Sequence, residues 1–179
     1  VRTPAGSYEP QRITFASGDR VTFDRVLIGE VWFAGGQSNM EMPLGGFWQC
    51  PVTDANEIIA RASAKSGKLH YVKIPHAAAY TPQDRTAGSW TPCTTATAAK
   101  FTAAGYFFAE MLNDVLSVPV GIIDCSWVGS RVESWMSREV LSGYSDIDLT
   151  EEGISRVAQH LRPMVMYNAM LRPVAGYTV

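Results

Sequence analysis

The chain has 179 residues, 46% hydrophobic and 18% charged, which suits one packed globular domain or one domain with a small appendage. Lys and Arg number 15 against 17 Asp and Glu, a net charge of -2, and with no basic run this argues against nucleic acid as the main partner. No apolar stretch approaches the roughly 18 residues that a membrane-spanning helix needs.

In chain order, "RITFASGDRVTFD", residues 12–24, predicts a hairpin. Ile13 and Phe15 alternate with polar neighbours, Ser17, Gly18 and Asp19 supply the turn, and Val21 and Phe23 alternate again. A lone hairpin is marginal in water, so residues 1–26 read as the remnant of an N-terminal β module, with the main domain over 27–179. The chain opens on Val1 with no signal peptide in view, which reads as a processed or trimmed start. "VWFAGG" predicts a short buried strand over 31–34, and 55–64 a short helix. "LHYVKIP", 69–75, predicts a strand closed by Pro75. Residues 76–99, rich in Thr, Ala and Pro, read as a long surface loop. The helix expected over 100–116 carries Phe101, Ala104, Phe108, Met111 and Val115 as one apolar stripe. A fully apolar strand follows over 118–127, then helices over 132–141 and 150–161, the last with Thr150 and Glu152 in cap-like positions.

Strands alternating with helices predict βαβ units and a mostly parallel sheet, whose sites lie at the carboxyl ends of the strands. Two strands end in such loops: "GGQSNM" after 31–34 and "SWVGSRVESW" after 119–125. A serine hydroxyl becomes a nucleophile when a base takes its proton and donors hold the oxyanion that forms. Gly35 and Gly36 allow the tight turn that would present Ser38 at a strand end, and the unshielded N–H of Gly129 suits an oxyanion donor. The same pattern also describes an ordinary turn. The GxSxG elbow is absent, because Met40 stands where its second glycine would be.

Cys50, Cys93 and Cys125 allow one bridge at most, with Cys50–Cys93 the better pairing, or three free thiols; they leave the compartment open. No cluster has metal-ligand spacing, so no metal is expected. His70 and His76 read as structural or exposed histidines, and His160 as a helix-end residue. Trp127 and Trp135 fall on core-facing patterns.

"GEVWFAGGQSNMEMPL", "GYFFAEML", "VPVGIIDCSWVGSRVESWM" and "MYNAMLRP", in this order, resemble the sialate O-acetylesterase family within the SGNH hydrolases. The resemblance covers roughly residues 26–179, and "GQSNMEM" is its most specific part. It implies a three-layer α/β/α sandwich with a parallel, flavodoxin-like sheet, incomplete in this chain, and a cofactor-free serine esterase. Ser38 would be the nucleophile, and the N–H groups of Ser38 and Gly129 would hold the oxyanion. The family's frequent "WGGT" reads "WVGS" here, with Val128 in place of one glycine. Gln37 and Asn39 would orient Ser38 or contact sugar hydroxyls. Arg131 would hold a carboxylate such as that of a sialic acid, or pair with Glu133 or Glu41. Asn168 would support the site from below, or simply belong to the packing of Tyr167 and Met170.

The family's "WYQGESN" and D-x-x-H blocks, which bring the oxyanion asparagine and the base, are not in the sequence. Gly67, Lys73 and Val157 stand three residues before His70, His76 and His160, so no histidine here makes a D-x-x-H. The expectation is a chain that stops inside its catalytic domain, completed by a C-terminal chain or fragment that carries the base. The expected substrate is an acetylated carbohydrate, sialic acids foremost. The alternatives are an esterase of the acetylxylan type and a non-catalytic carbohydrate-binding relative. The expected location is secreted, periplasmic or at the cell surface.

Overall fold

Two sheets organise the chain. In the computed structural model, which describes residues 3–176, β1 (Ser7–Ser17) and β2 (Asp19–Ile28) form a two-stranded antiparallel sheet. The chain ends, and with them the expectations about what precedes Val1 and follows Val179, lie outside the described residues. The second sheet has the order β3-β6-β4-β5, with β3 at Glu30–Gly36, β4 at Leu69–Lys73, β5 at Thr91–Pro92 and β6 at Val120–Ser126. Its helices are α1 (Ser38–Glu41), α2 (Ala55–Arg61), α3 (Ala103–Leu116), α4 (Arg138–Leu141) and α5 (Glu151–Ser155). None is long and apolar enough to cross a membrane.

The sheet is mixed, which corrects the expectation of a parallel one: β5 runs antiparallel to β4, pairing Thr91 with Tyr71 and Pro92 with His70. A strand that arrives from a loop, without a crossover helix, can return antiparallel. The 76–99 stretch is therefore more than a surface loop, and it buries Cys93 and Ala98.

The chain divides into two compact units. The first comprises Val1–Trp32, Pro43–Tyr71 and Trp90–Ile122; the second comprises Phe33–Met42, Val72–Ser89 and Ile123–Val179. β3, β4 and β6 each begin in the first and end in the second.

The first unit holds the hairpin and an apolar core. The hairpin is longer than expected, and its turn uses Gly18 at φ 80°. Phe15 and Phe23 meet edge to face at 6.1 Å on a half-exposed face. In the core, Leu44, Leu69, Phe101, Tyr106, Ala109, Val120 and Ile122 are buried. Thr102 caps α3 by accepting the Gly105 N–H at 3.3 Å. Near its other end, buried Asn113 donates to Val118 O at 2.8 Å and to the Tyr8 hydroxyl at 2.7 Å.

α3 turns a different face inward from the one expected. Met111 and Val115 are 70% and 74% exposed, and Ala104 and Phe108 are exposed too, while Tyr106, Ala109 and Asn113 are buried. The two faces have the same helical spacing. Burial here selects small residues and polar-tipped ones whose tips find partners, a choice that apolar periodicity alone does not see.

In the second unit both expected helices break. A 3-10 turn, Val132–Trp135, precedes α4, because Ser137 leaves the helix to cap Val140 N at 3.3 Å. α5 is capped by Thr150, which accepts from Gly153 N at 3.1 Å, and ends by Ser155; His160 lies in a separate 3-10 turn, Gln159–Leu161.

All three cysteines are free, so the Cys50–Cys93 pairing does not form: Cys50 faces solvent, whereas Cys93 and Cys125 are sealed inside. Burial pushes the Cys93 thiol up to about 11, with the Glu110 charge adding to it.

Candidate active site

The candidate site lies wholly in the second unit, where the ends of the neighbouring strands β3 and β6 meet. β3 ends on Gly36 at φ 154°, a conformation that L side chains rarely adopt. Gln37 follows as the cap of α1, its carbonyl accepting Met40 N at 3.0 Å and Glu41 N at 2.8 Å. Ser38 is thus the first residue of a short helical turn set immediately beyond the strand. After β6, Trp127–Ser130 form a four-residue turn, closed by Ser130 N–H donating to Trp127 O at 3.3 Å. Gly129 takes its third position at φ 74°, where glycine is favoured. Nothing comparable constrains residue 128, and Val128 sits there with its side chain half exposed.

The two turns are joined through the side chain of Gln37. Its Oε1 accepts the Ser38 N–H at 2.8 Å, the Ser38 hydroxyl at 2.7 Å and the Gly129 N–H at 3.4 Å. A carbonyl oxygen therefore already sits among three converging donors. Gln37 is exposed, so this occupant can swing away.

Behind the turns lies a buried carboxylate. Glu41, 6% exposed, accepts Lys73 Nζ at 3.0 Å and His76 Nε2 at 2.7 Å on Oε1, and the Val128 N–H on Oε2. Burial pushes this carboxyl up, but the Lys73 bond, the Val128 N–H and the charges of Lys73 and His76 outweigh it and hold it below its ordinary value. The His76 ring stacks on Trp127 at 4.2 Å and 3°. Asp124, in β6, is more deeply buried and has a neutral partner, the Ser126 hydroxyl. Burial pushes its carboxyl up to about 6, against the pull of Ser126, Lys73 and His76.

No family model matches the chain. Among curated proteins it is similar to the sialate O-acetylesterases of mouse (25% identical over 189 residues, 86% of this chain), rat (30% over 146 residues, 78%) and human (27% over 161 residues, 86%). Among solved structures it is similar to a carbohydrate acetylesterase from Xanthomonas citri, 34% identical with a TM-score of 0.81 over 100% of this chain. The chain belongs to the sialate O-acetylesterase family. It spans only 34%, 26% and 30% of the mouse, rat and human proteins and 38% of the Xanthomonas one.

Of the site residues expected for a sialate O-acetylesterase relative, Gln37, Ser38 and Gly129 come together. Asn39 is exposed on α1, and its side chain makes no hydrogen bond among the described residues. Arg131 is exposed two residues beyond Gly129 and pairs with neither Glu133 nor Glu41; Glu41 is held by Lys73 and His76 instead. Asn168 is buried in a π-helical turn, Tyr167–Leu171, and its side-chain amide donates to Ala79 O at 3.1 Å while its backbone carbonyl accepts the Gln83 N–H at 3.0 Å. It fastens the 79–83 loop. Trp127 and Trp135 are half-buried rather than core: one stacks on His76, the other donates to the Ser130 hydroxyl at 2.9 Å. His160 belongs beside the site, since a Cβ built on Gly129 would lie 3.5 Å from its Nε2.

The Glu41, Lys73 and His76 cluster escapes pattern reading, because its members sit on α1, on β4 and just past it. One signal was available: Glu41 is the sole charge in the "NMEMPL" run, three residues after Ser38.

Proposed function

We propose that this site hydrolyses acetyl esters of carbohydrates, with Ser38 as nucleophile. The observation that carries the reading is the seat of Gln37 Oε1, a carbonyl oxygen held by the Ser38 N–H at 2.8 Å and the Gly129 N–H at 3.4 Å beside the Ser38 hydroxyl. In the reaction Gln37 swings out and the acetyl carbonyl takes its place. Ser38 Oγ loses its proton to a base and bonds to the carbonyl carbon. Negative charge develops on the carbonyl oxygen and meets the two N–H donors. The C–O bond to the sugar then breaks, and the sugar oxygen leaves with the proton. Water attacks the acetyl-serine, freeing acetate and Ser38.

His76 is occupied by Glu41 and Trp127, and no histidine bonds Ser38 among the described residues. We read the base as a histidine from outside residues 1–179, carried by a C-terminal chain or fragment. Sialic acids are the favoured substrate, because the exposed guanidinium of Arg131, without a salt-bridge partner among the described residues, suits a sugar carboxylate. Asn39 would contact sugar hydroxyls, and Asn168 would keep the neighbouring loop in place.

The test is hydrolysis of O-acetyl sialate, of acetylxylan and of p-nitrophenyl acetate by the protein together with the chain or fragment that carries the base, and by its Ser38→Ala variant. Loss of all three activities in the variant supports the reading. Faster turnover of acetylxylan than of O-acetyl sialate would reassign the substrate to neutral polysaccharide, and a variant keeping a tenth of the activity would remove Ser38 from the chemistry.

A further inference from the structure

Three successive backbone N–H groups after β6 each meet the nucleophile turn. Trp127 donates to Gly36 O at 3.1 Å, Val128 to Glu41 Oε2, and Gly129 to Gln37 Oε1 at 3.4 Å. The partners differ in kind. Gly36 O is backbone, Gln37 is an exposed side chain that can leave, and Glu41 is a buried side chain that cannot. Lys73 and His76 both bond Glu41 Oε1, which leaves Oε2 facing the Val128 N–H. Glu41 and Ser38 share the same four-residue helix. Any slip of the 127–130 turn relative to Ser38 would therefore stretch a charge-assisted bond. His76 adds a second hold on that turn through its stack on Trp127.

We infer that Glu41 is a positioning residue for ester hydrolysis: braced by Lys73 and His76, it anchors the Val128 N–H and so aims the adjacent Gly129 N–H at the substrate carbonyl oxygen. The inference rests on the reading of Ser38 and Gly129 above. A carboxylate that only held the fold together would matter for folding yield and melting temperature. One that aims a donor matters where negative charge develops, so its loss appears in kcat with KM little changed.

The experiment compares Glu41→Gln with Ser38→Ala in the protein together with the chain or fragment that carries the base, on p-nitrophenyl acetate. The glutamine keeps the shape but has a single acceptor oxygen, so either Val128 or the Lys73 and His76 pair loses its partner. The expected result is a fall in kcat of about 10²-fold, the scale of losing one oxyanion donor, with KM within about twofold and an unchanged circular dichroism spectrum. Full kcat in Glu41→Gln beside an inactive Ser38→Ala overturns this inference alone. A raised KM with unchanged kcat overturns it as well. An active Ser38→Ala overturns the underlying reading and this inference with it. Should Glu41→Gln fail to fold, hydrogen exchange in the unmodified protein decides. The Val128 amide is expected to exchange about 10²-fold more slowly than that of Gly129, whose partner is mobile; equal rates would overturn the inference.

Discussion

The two units bury different things. In the first, the buried polar residues among those described are Thr102 and Asn113, both neutral and both serving the ends of α3. The second buries two carboxylates, Glu41 and Asp124, together with Ser126, Ser134 and Asn168. Apolar burial stabilises without direction, whereas a buried carboxylate is tolerated only where donors meet it. The first unit therefore reads as scaffold. The second carries groups whose placement is expensive and whose orientation is defined, as a site that must hold charge requires. The difference teaches where to expect a change in stability and where a change in chemistry.

The largest effect that would break this contrast is at Ser38. Ser38→Ala in the protein together with the chain or fragment that carries the base is expected to lower kcat for acetyl ester hydrolysis by at least about 10³-fold with no shift in melting temperature. Next is the core of the first unit. Phe101, fully buried against Tyr71 at 4.6 Å and Tyr106 at 5.8 Å, should on Phe101→Ala lose about 3–5 kcal/mol of stability in denaturant titration. Turnover per folded molecule should stay the same, and a drop in it would dissolve the division into scaffold and site. Smaller again is Gly129→Ala. The added methyl meets His160 at an ordinary 3.5 Å, so the penalty is the φ of 74°, about 1–3 kcal/mol of strain. Relieving that strain turns the N–H, and kcat should fall by about 10²-fold.

The smallest effect separates the two carboxylates by the sign of their pH dependence. Glu41 is held below its ordinary value, so its contribution is present above that value of 4.5 and is lost as pH falls through the lower folded one. Asp124 is the opposite case. Its carboxyl, raised from 3.8 to about 6, makes the folded protein bind the extra proton, so stability declines as pH rises across that interval. Asp124→Asn should remove this decline in unfolding measurements between pH 4 and 6 while leaving the acid-side loss due to Glu41. An unchanged slope would mean that Asp124 titrates normally.

Legibility followed the range of the interactions. The hairpin is written in local alternation around Gly18, and β6 in a mainly apolar run that ends up buried along its whole length, Asp124 and Ser126 included. The turn at Gly36 was readable because positive φ is a local demand, whereas Gly129 was singled out for its bare N–H and its turn emerged only in the structure. The face of α3 was not, since Phe108 and Tyr106 present similar local patterns and only the neighbouring elements decide between them. The antiparallel β5 and the breaks at Ser137 and Ser155 follow from loop paths and caps that compete closely with helix continuation.

For the site, the sequence by itself determined the chemical parts: a glycine-fronted Ser38 after one strand, a glycine N–H after another, and the family to which those blocks belong. Each is encoded within a few consecutive residues, where backbone sterics act. Tertiary structure alone decided that Gln37 Oε1 would sit among the Ser38 and Gly129 donors, and that Glu41 would be clasped by Lys73, His76 and Val128. Hydrogen bonds have a reach of about 3 Å, and residues 41, 73, 76 and 128 come within it only because β3, β6 and β4 lie side by side in that order.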